Sequence, residues 1–227
     1  MGHPKFLRDR MSDSPAIQSF FLNGPAGRLE AILNRGRADA RYAAVVCHPH
    51  PMFGGTMHNK VVFHAMKALN HFGFPVLRFN FRGAGLSEGV HAEGDGEKDD
   101  VRAALEWLAK EYRLPIVFAG FSFGAAVGMG VACPDERVQA IIALGTPVQA
   151  DNRTYGYEFL ARCSKPKLFC SGDHDQFAPV DDLKELVEAA AQPKQLVLIG
   201  DADHFFAGHL AEMRDQLEEW LHSTLQI

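Results

Sequence analysis

Ser122 stands between two glycines in Gly120-Phe121-Ser122-Phe123-Gly124, directly after an apolar run at residues 116–119 and before Ala125-Ala126-Val127-Gly128. A strand that turns this sharply into a helix leaves no room for side chains at the two glycines and holds the serine exposed in a strained conformation. The helix N-terminus beneath it favours developing negative charge. That chemistry is nucleophilic attack by a hydroxyl, which needs a base and a group to orient the base. Two later loops contain such groups: Ser171-Gly172-Asp173-His174-Asp175-Gln176-Phe177-Ala178-Pro179 and Gly200-Asp201-Ala202-Asp203-His204-Phe205-Phe206. His204, just before the last helical segment, is the candidate base, since an ordinary imidazole with a pKa near ~6.5 accepts a proton at neutral pH. Asp173, Asp175 and Asp203 compete as its partner. Asp173 suits closure of its own turn through its side chain, and Asp203 is adjacent to His204 and points away from it.

Acyl transfer also needs two backbone donors for the oxyanion, one from the residue after the nucleophile, here Phe123. The second is expected from the loop His48-Pro49-His50-Pro51-Met52. Proline has no N–H, so His50 and Met52 remain. His48, His50 and His58 include an HxH pair that zinc could use. The prolines hold that loop extended and no separate carboxylate accompanies it, so neither a metal nor another cofactor is assigned.

These groups require a scaffold that brings distant loops together. Apolar runs at 43–47, 76–81, 116–119, 140–144, 167–170 and 196–199 suit strands covered on both faces, and 17–22 with 28–33, around Asn23-Gly24-Pro25, suit a leading hairpin. Between them, apolar residues recur at helical spacing: Val62, Met66, Leu69 and Phe72; Val101, Leu105, Leu108 and Tyr112; Leu183, Leu186 and Val187; and Leu210, Met213, Leu217, Trp220 and Leu221. Alternation of this kind implies a mostly parallel sheet with right-handed crossovers. Ligands then bind at the carboxyl ends of the strands.

The order Ser, Asp, His, together with His48-Pro49-His50-Pro51, Gly54-Gly55, Met57-His58-Asn59-Lys60 and Asn80-Phe81-Arg82-Gly83-Ala84-Gly85-Leu86-Ser87-Glu88-Gly89, resembles the small, nearly lidless bacterial α/β-hydrolases of the dienelactone hydrolase-like group, in its HPHP-containing subset. The resemblance runs from about Ile17 onward. It implies a three-layer α/β-hydrolase fold, a mostly parallel sheet with an N-terminal antiparallel hairpin. It also implies Asp175 as the orienting acid, His50 over Met52 as the second donor, and Arg82 as a structural residue bonding to loop carbonyls below the site.

Composition sets the remaining expectations. The 227 residues, 47% apolar and 22% charged, are organised as an N-terminal extension, residues 1–15, and one domain, residues 16–227. A net charge of −5 without a basic run argues against nucleic acid or an anionic membrane as partner and for a small neutral or mildly polar ligand. A homo-oligomer is compatible with the sequence. Met1–Met11 is not followed by an apolar stretch of the signal-peptide kind, and Cys47, Cys133, Cys163 and Cys170 show no CxxC spacing. Reduced, buried thiols and a cytoplasmic location are therefore expected. Only a short insertion lies between Gly145 and Lys167, so no large cap is expected; its Tyr155, Tyr157 and Phe159 are candidate pocket walls. The combined expectation is a serine hydrolase for small carboxylester, thioester or lactone substrates. The alternatives are a catalytically dead binding protein on the same fold, a peptidase, a C–C hydrolase or a haloperoxidase-like enzyme.

Overall fold

The structure is a computed structural model that describes residues 16–149 and 155–227; the expected extension at 1–15 and part of the insertion lie outside the described residues. The strands are β1 (Ile17–Gly24), β2 (Gly27–Asn34), β3 (Ala43–Cys47), β4 (Val76–Phe79), β5 (Ile116–Phe121), β6 (Val138–Leu144), β7 (Lys167–Gly172) and β8 (Lys194–Ile199). They form one sheet in the order β1-β2-β4-β3-β5-β6-β7-β8. β1 and β2 are an antiparallel hairpin and β2 is antiparallel to β4, while every pair from β4 to β8 is parallel.

The helices are α1 (Lys60–His71), α2 (Asp95–Tyr112), α3 (Phe123–Ala132), α4 (Val180–Ala189) and α5 (Leu210–Leu225). Their apolar stripes settle on opposite faces of the sheet. Val62, Met66 and Leu69 of α1 and Met213, Leu217 and Leu221 of α5 pack with Val46 and Ile142. Val101 and Leu105 of α2, Met129 of α3, and Leu183 and Val187 of α4 pack with Val45 and Phe118 on the other side. This is the three-layer α/β-hydrolase fold, with β3 to β7 covered on both faces, as their continuous apolar runs require. Cys47, Cys133, Cys163 and Cys170 are free and buried. No described helix is long and apolar enough to cross a membrane.

The apolar run at 76–81 overstates its strand. β4 ends at Phe79 because the Phe81 N–H turns away from the ladder and donates to His48 Nε2 at 2.9 Å. The loop beyond it is braced by side chains: the Ser87 hydroxyl donates to the Asn80 carbonyl at 2.6 Å, and Asn80 Nδ2 donates to Glu30 Oε2 at 2.7 Å.

Arg82 corrects one expectation. Among the described residues its partner is not a loop carbonyl: its backbone N–H, Nε and Nη2 all donate to the Asp100 carboxylate on α2, at 3.0, 3.0 and 2.7 Å. Asp100 is fully buried, so a charge is present that only a fork of donors satisfies, and Arg82 ties the loop after β4 to the second helix. Removing one partner of a buried pair strands the other, so Asp100→Ala is expected to lower the unfolding free energy by about 3–5 kcal/mol in urea denaturation. A loss below about 1 kcal/mol would place this pair with solvent-screened surface bridges.

Candidate active site

Register places the site. Cys47 at the end of β3 pairs with Gly120 near the end of β5, and Phe121 pairs with Leu144 at the end of β6. Gly172 at the end of β7 pairs with Ile199 at the end of β8. The loops after β3, β5, β7 and β8 therefore rise from one edge of the sheet.

Ser122 caps α3 with φ 53° and ψ −121°, a conformation that L-residues rarely adopt. Its backbone is held from both sides: its N–H donates to the Leu144 carbonyl at 2.9 Å, and its carbonyl accepts from Ala125 and Ala126 at 2.9 and 3.0 Å. The flanking glycines are needed for space. A Cβ on Gly120 would lie 2.6 Å from the Gly124 carbonyl oxygen, and one on Gly124 would lie 2.5 Å from the carbonyl oxygen of His48.

His204 Nε2 lies 3.0 Å from Ser122 Oγ, and His204 Nδ1 lies 2.8 Å from Asp175 Oδ2. A carboxylate only accepts, so the hydrogen-bond network assigns the proton to Nδ1 and leaves Nε2 to accept from the serine hydroxyl. Asp175 and His204 are both almost fully buried. Asp175 Oδ2 also accepts from the Ser171 hydroxyl at 3.0 Å and its Oδ1 from the Phe177 N–H at 2.9 Å. The imidazole is fenced by the rings of Phe121, Phe177 and Phe205, with centroids at 5.0, 4.7 and 5.2 Å.

The competing carboxylates are placed elsewhere. Asp203 Oδ1 accepts the N–H groups of Phe205 and Ala207 at 3.0 and 2.9 Å, folding the turn after the histidine. Asp173 is exposed, and the bond that anchors it is backbone, N–H to the Ile199 carbonyl at 3.0 Å, where a side-chain closure was expected.

In the loop after β3, the Met52 N–H donates to His50 Nδ1 at 3.2 Å, and the Phe53 N–H donates to the His50 carbonyl at 3.2 Å. The Met52 N–H is thus committed within its own turn. His48 is tied at both nitrogens: Nδ1 sits 2.6 Å from the Pro49 carbonyl and Nε2 accepts from Phe81. Burial pushes its pKa down to about 4, against the Pro49 hydrogen bond, which pulls upward. A neutral imidazole with both nitrogens occupied is a brace between the loops after β3 and β4. Among the described residues no cluster of three or more histidine, cysteine or acidic groups is arranged to hold a metal ion.

A cavity of about 360 Å³ opens over Ser122, lined by Pro49, His50, Phe53, Gly54, Gly55, Asn59, Phe123, Pro147, Tyr155, Phe177, His204 and Phe205. None of these described residues carries a carboxylate, ammonium or guanidinium. Of the three aromatics expected to wall the pocket, only Tyr155 does so. The Tyr157 hydroxyl donates to the Pro147 carbonyl at 2.7 Å, and the rings of Tyr157 and Phe159 pack on the core. Phe177 and Phe205, which follow the acid and base in sequence, were not singled out from the sequence although that proximity was the signal.

Comparison with known proteins agrees with the fold. A family described as alpha/beta hydrolase domain matches residues 43–226, and the chain belongs to it. An uncharacterized protein of Rickettsia prowazekii is 35% identical over 212 residues, 90% of this chain and 89% of its own. A structure described as an alpha-beta serine hydrolase homologue from Coxiella burnetii superposes with a TM-score of 0.83 at 37% identity, covering 89% of this chain and 96% of that one. Another, from Xanthomonas campestris, described as a serine hydrolase without lid, gives 0.81 at 33% identity, covering 92% and 95%.

His48 generates a pH prediction. Because its folded pKa lies below the ordinary 6.5, its contribution to stability is complete above that value and is lost as the pH falls through about 4. Between those limits the protein is expected to lose roughly 3 kcal/mol that a His48→Asn variant does not lose, measured as the difference in urea midpoints across pH. Parallel pH curves for the two proteins would contradict a buried neutral His48.

Proposed function

We propose that this chain is a serine hydrolase that cleaves small uncharged esters, thioesters or lactones through an acyl-enzyme. The observation that carries the reading is the continuous chain Ser122 Oγ, His204 Nε2, His204 Nδ1, Asp175 Oδ2 at 3.0 and 2.8 Å. In the proposed mechanism Ser122 Oγ attacks the carbonyl carbon while Nε2 takes its proton, and Asp175 stabilises the resulting imidazolium. The oxyanion is received by the backbone N–H groups of Phe123, at the first turn of α3, and His50. The tetrahedral adduct collapses as Nε2 delivers the proton to the leaving oxygen or sulfur; water, deprotonated by the same histidine, then adds to the acyl carbon, and Nε2 returns that proton to Ser122 Oγ as the acid leaves.

Charge supports the substrate class, because a charged substrate would find no counter-ion among the described lining residues. The loop motifs support a place near the dienelactone hydrolase-like group, and the Xanthomonas relative described as lacking a lid supports an open site. Four free thiols support action in the cytoplasm.

Ser122→Ala is expected to abolish ester turnover while leaving the melting temperature within a few degrees, and a fluorophosphonate should label Ser122; an adduct mapped to another serine would overturn the assignment. Asp175→Asn is expected to lower kcat by about 10⁴, whereas Asp173→Asn and Asp203→Asn lower it far less. A larger loss in either of those two would move the orienting role.

A cavity of this size also limits the acyl chain. Each methylene in contact with a wall contributes up to ~0.8 kcal/mol, and contributes nothing once it stays in water. In a series of p-nitrophenyl esters kcat/KM should therefore peak at short acyl chains, and a rise that continued past about eight to ten carbons would contradict so small a pocket.

A further inference from the structure

We infer that Phe177 and Phe205 form the subsite for the leaving alcohol, and that it takes flat, uncharged aromatic alcohols, so that arylmethyl esters are better substrates than alkyl esters of the same acid. The inference rests on the acyl-enzyme reading above. In that chemistry the carbonyl oxygen is directed toward the N–H groups of Phe123 and His50. The leaving oxygen must meet the proton held on His204 Nε2. The leaving group therefore departs on the histidine side of Ser122, where these two rings stand.

Both rings are fixed relative to the base. Phe177 and Phe205 meet the His204 imidazole edge to face, at 4.7 Å and 68° and at 5.2 Å and 83°. Asp175 holds His204 through Oδ2 and the Phe177 N–H through Oδ1, so one carboxylate positions the base and a wall of the subsite. The Phe177 carbonyl accepts from Val148 and Gln149 at 2.8 and 2.9 Å, which pins the same residue from the other side. Phe205 is held through its N–H by Asp203.

Exposure separates Phe205 from its neighbours. His204 and Phe206 are buried, yet the Phe205 side chain between them is half exposed at the cavity. Phe205 and the still more exposed Phe53 both line the cavity, so apolar ring surface is open there for a bound substrate to cover. Aromatic rings pair with other rings edge to face or offset, which a flat aryl group satisfies better than a branched or charged one.

The test compares benzyl acetate with methyl acetate, whose alcohols have nearly equal acidity, and methyl phenylacetate with methyl acetate, which moves the ring to the acyl side. Wild-type protein is expected to favour benzyl over methyl acetate by about tenfold in kcat/KM, and Phe205→Ala to reduce that ratio about fivefold. The ratio of methyl phenylacetate to methyl acetate should change less than about twofold in the same variant. An unchanged benzyl preference, or equal loss of both preferences, overturns the subsite while turnover that depends on Ser122 keeps the hydrolase reading intact. Ester turnover that survives in Ser122→Ala, or none in the wild type, overturns both.

Discussion

The first turn of α3 lies against the end of β3 so closely that the His48 carbonyl would sit 2.5 Å from any Cβ at position 124. Much of the site depends on this approach. It brings Phe123, whose N–H lies at a helix N-terminus, beside the loop that carries His50, and the two rings pack with centroids 4.8 Å apart. The positive φ of Ser122 is the strained conformation that this geometry imposes. It persists because the Leu144 carbonyl and the N–H groups of Ala125 and Ala126 hold the residue on both sides.

Around this contact, buried polar groups act as rivets between loops that share no ladder. His48 joins the loop after β3 to Phe81, Arg82 joins the next loop to Asp100 on α2, and Ser171 and Phe177 fix the carboxylate that holds His204. Glu97, fully buried, accepts the N–H groups of Ala92 and Gly94 at 2.9 and 2.8 Å and closes the start of α2. Such groups are tolerated in an apolar interior because their donors and acceptors are met, and each limits the freedom of a loop at the carboxyl edge of the sheet.

Electrostatics and packing divide the labour at the cavity. The polar atoms converge on Ser122, while the surrounding described surface is ring and backbone without fixed charge. In the proposed reaction a substrate would be oriented by its carbonyl and selected by its apolar parts, without ion pairing.

The sequence by itself determined the chemistry-bearing types and the scaffold: Gly-x-Ser-x-Gly between an apolar run and a helix, an acid and a histidine later in order, and alternating strand and helix patterns that allow only a largely parallel sheet. These were legible because glycine, proline and periodicity act locally. What lay beyond it depended on contacts between residues far apart in the chain. Arg82 could be read as structural, but only the fold shows Asp100 facing it; the prolines already argue against a metal role for His48, but only the fold shows Phe81 and Pro49 at its two nitrogens. Tyr155, Tyr157 and Phe159 are equivalent in sequence, and only the tertiary structure shows that all three pack on the core while Tyr155 alone of them also lines the cavity. The physical reason is the same in each case: residue type fixes which bonds a side chain can make, and the packing of distant elements decides which partner is within reach.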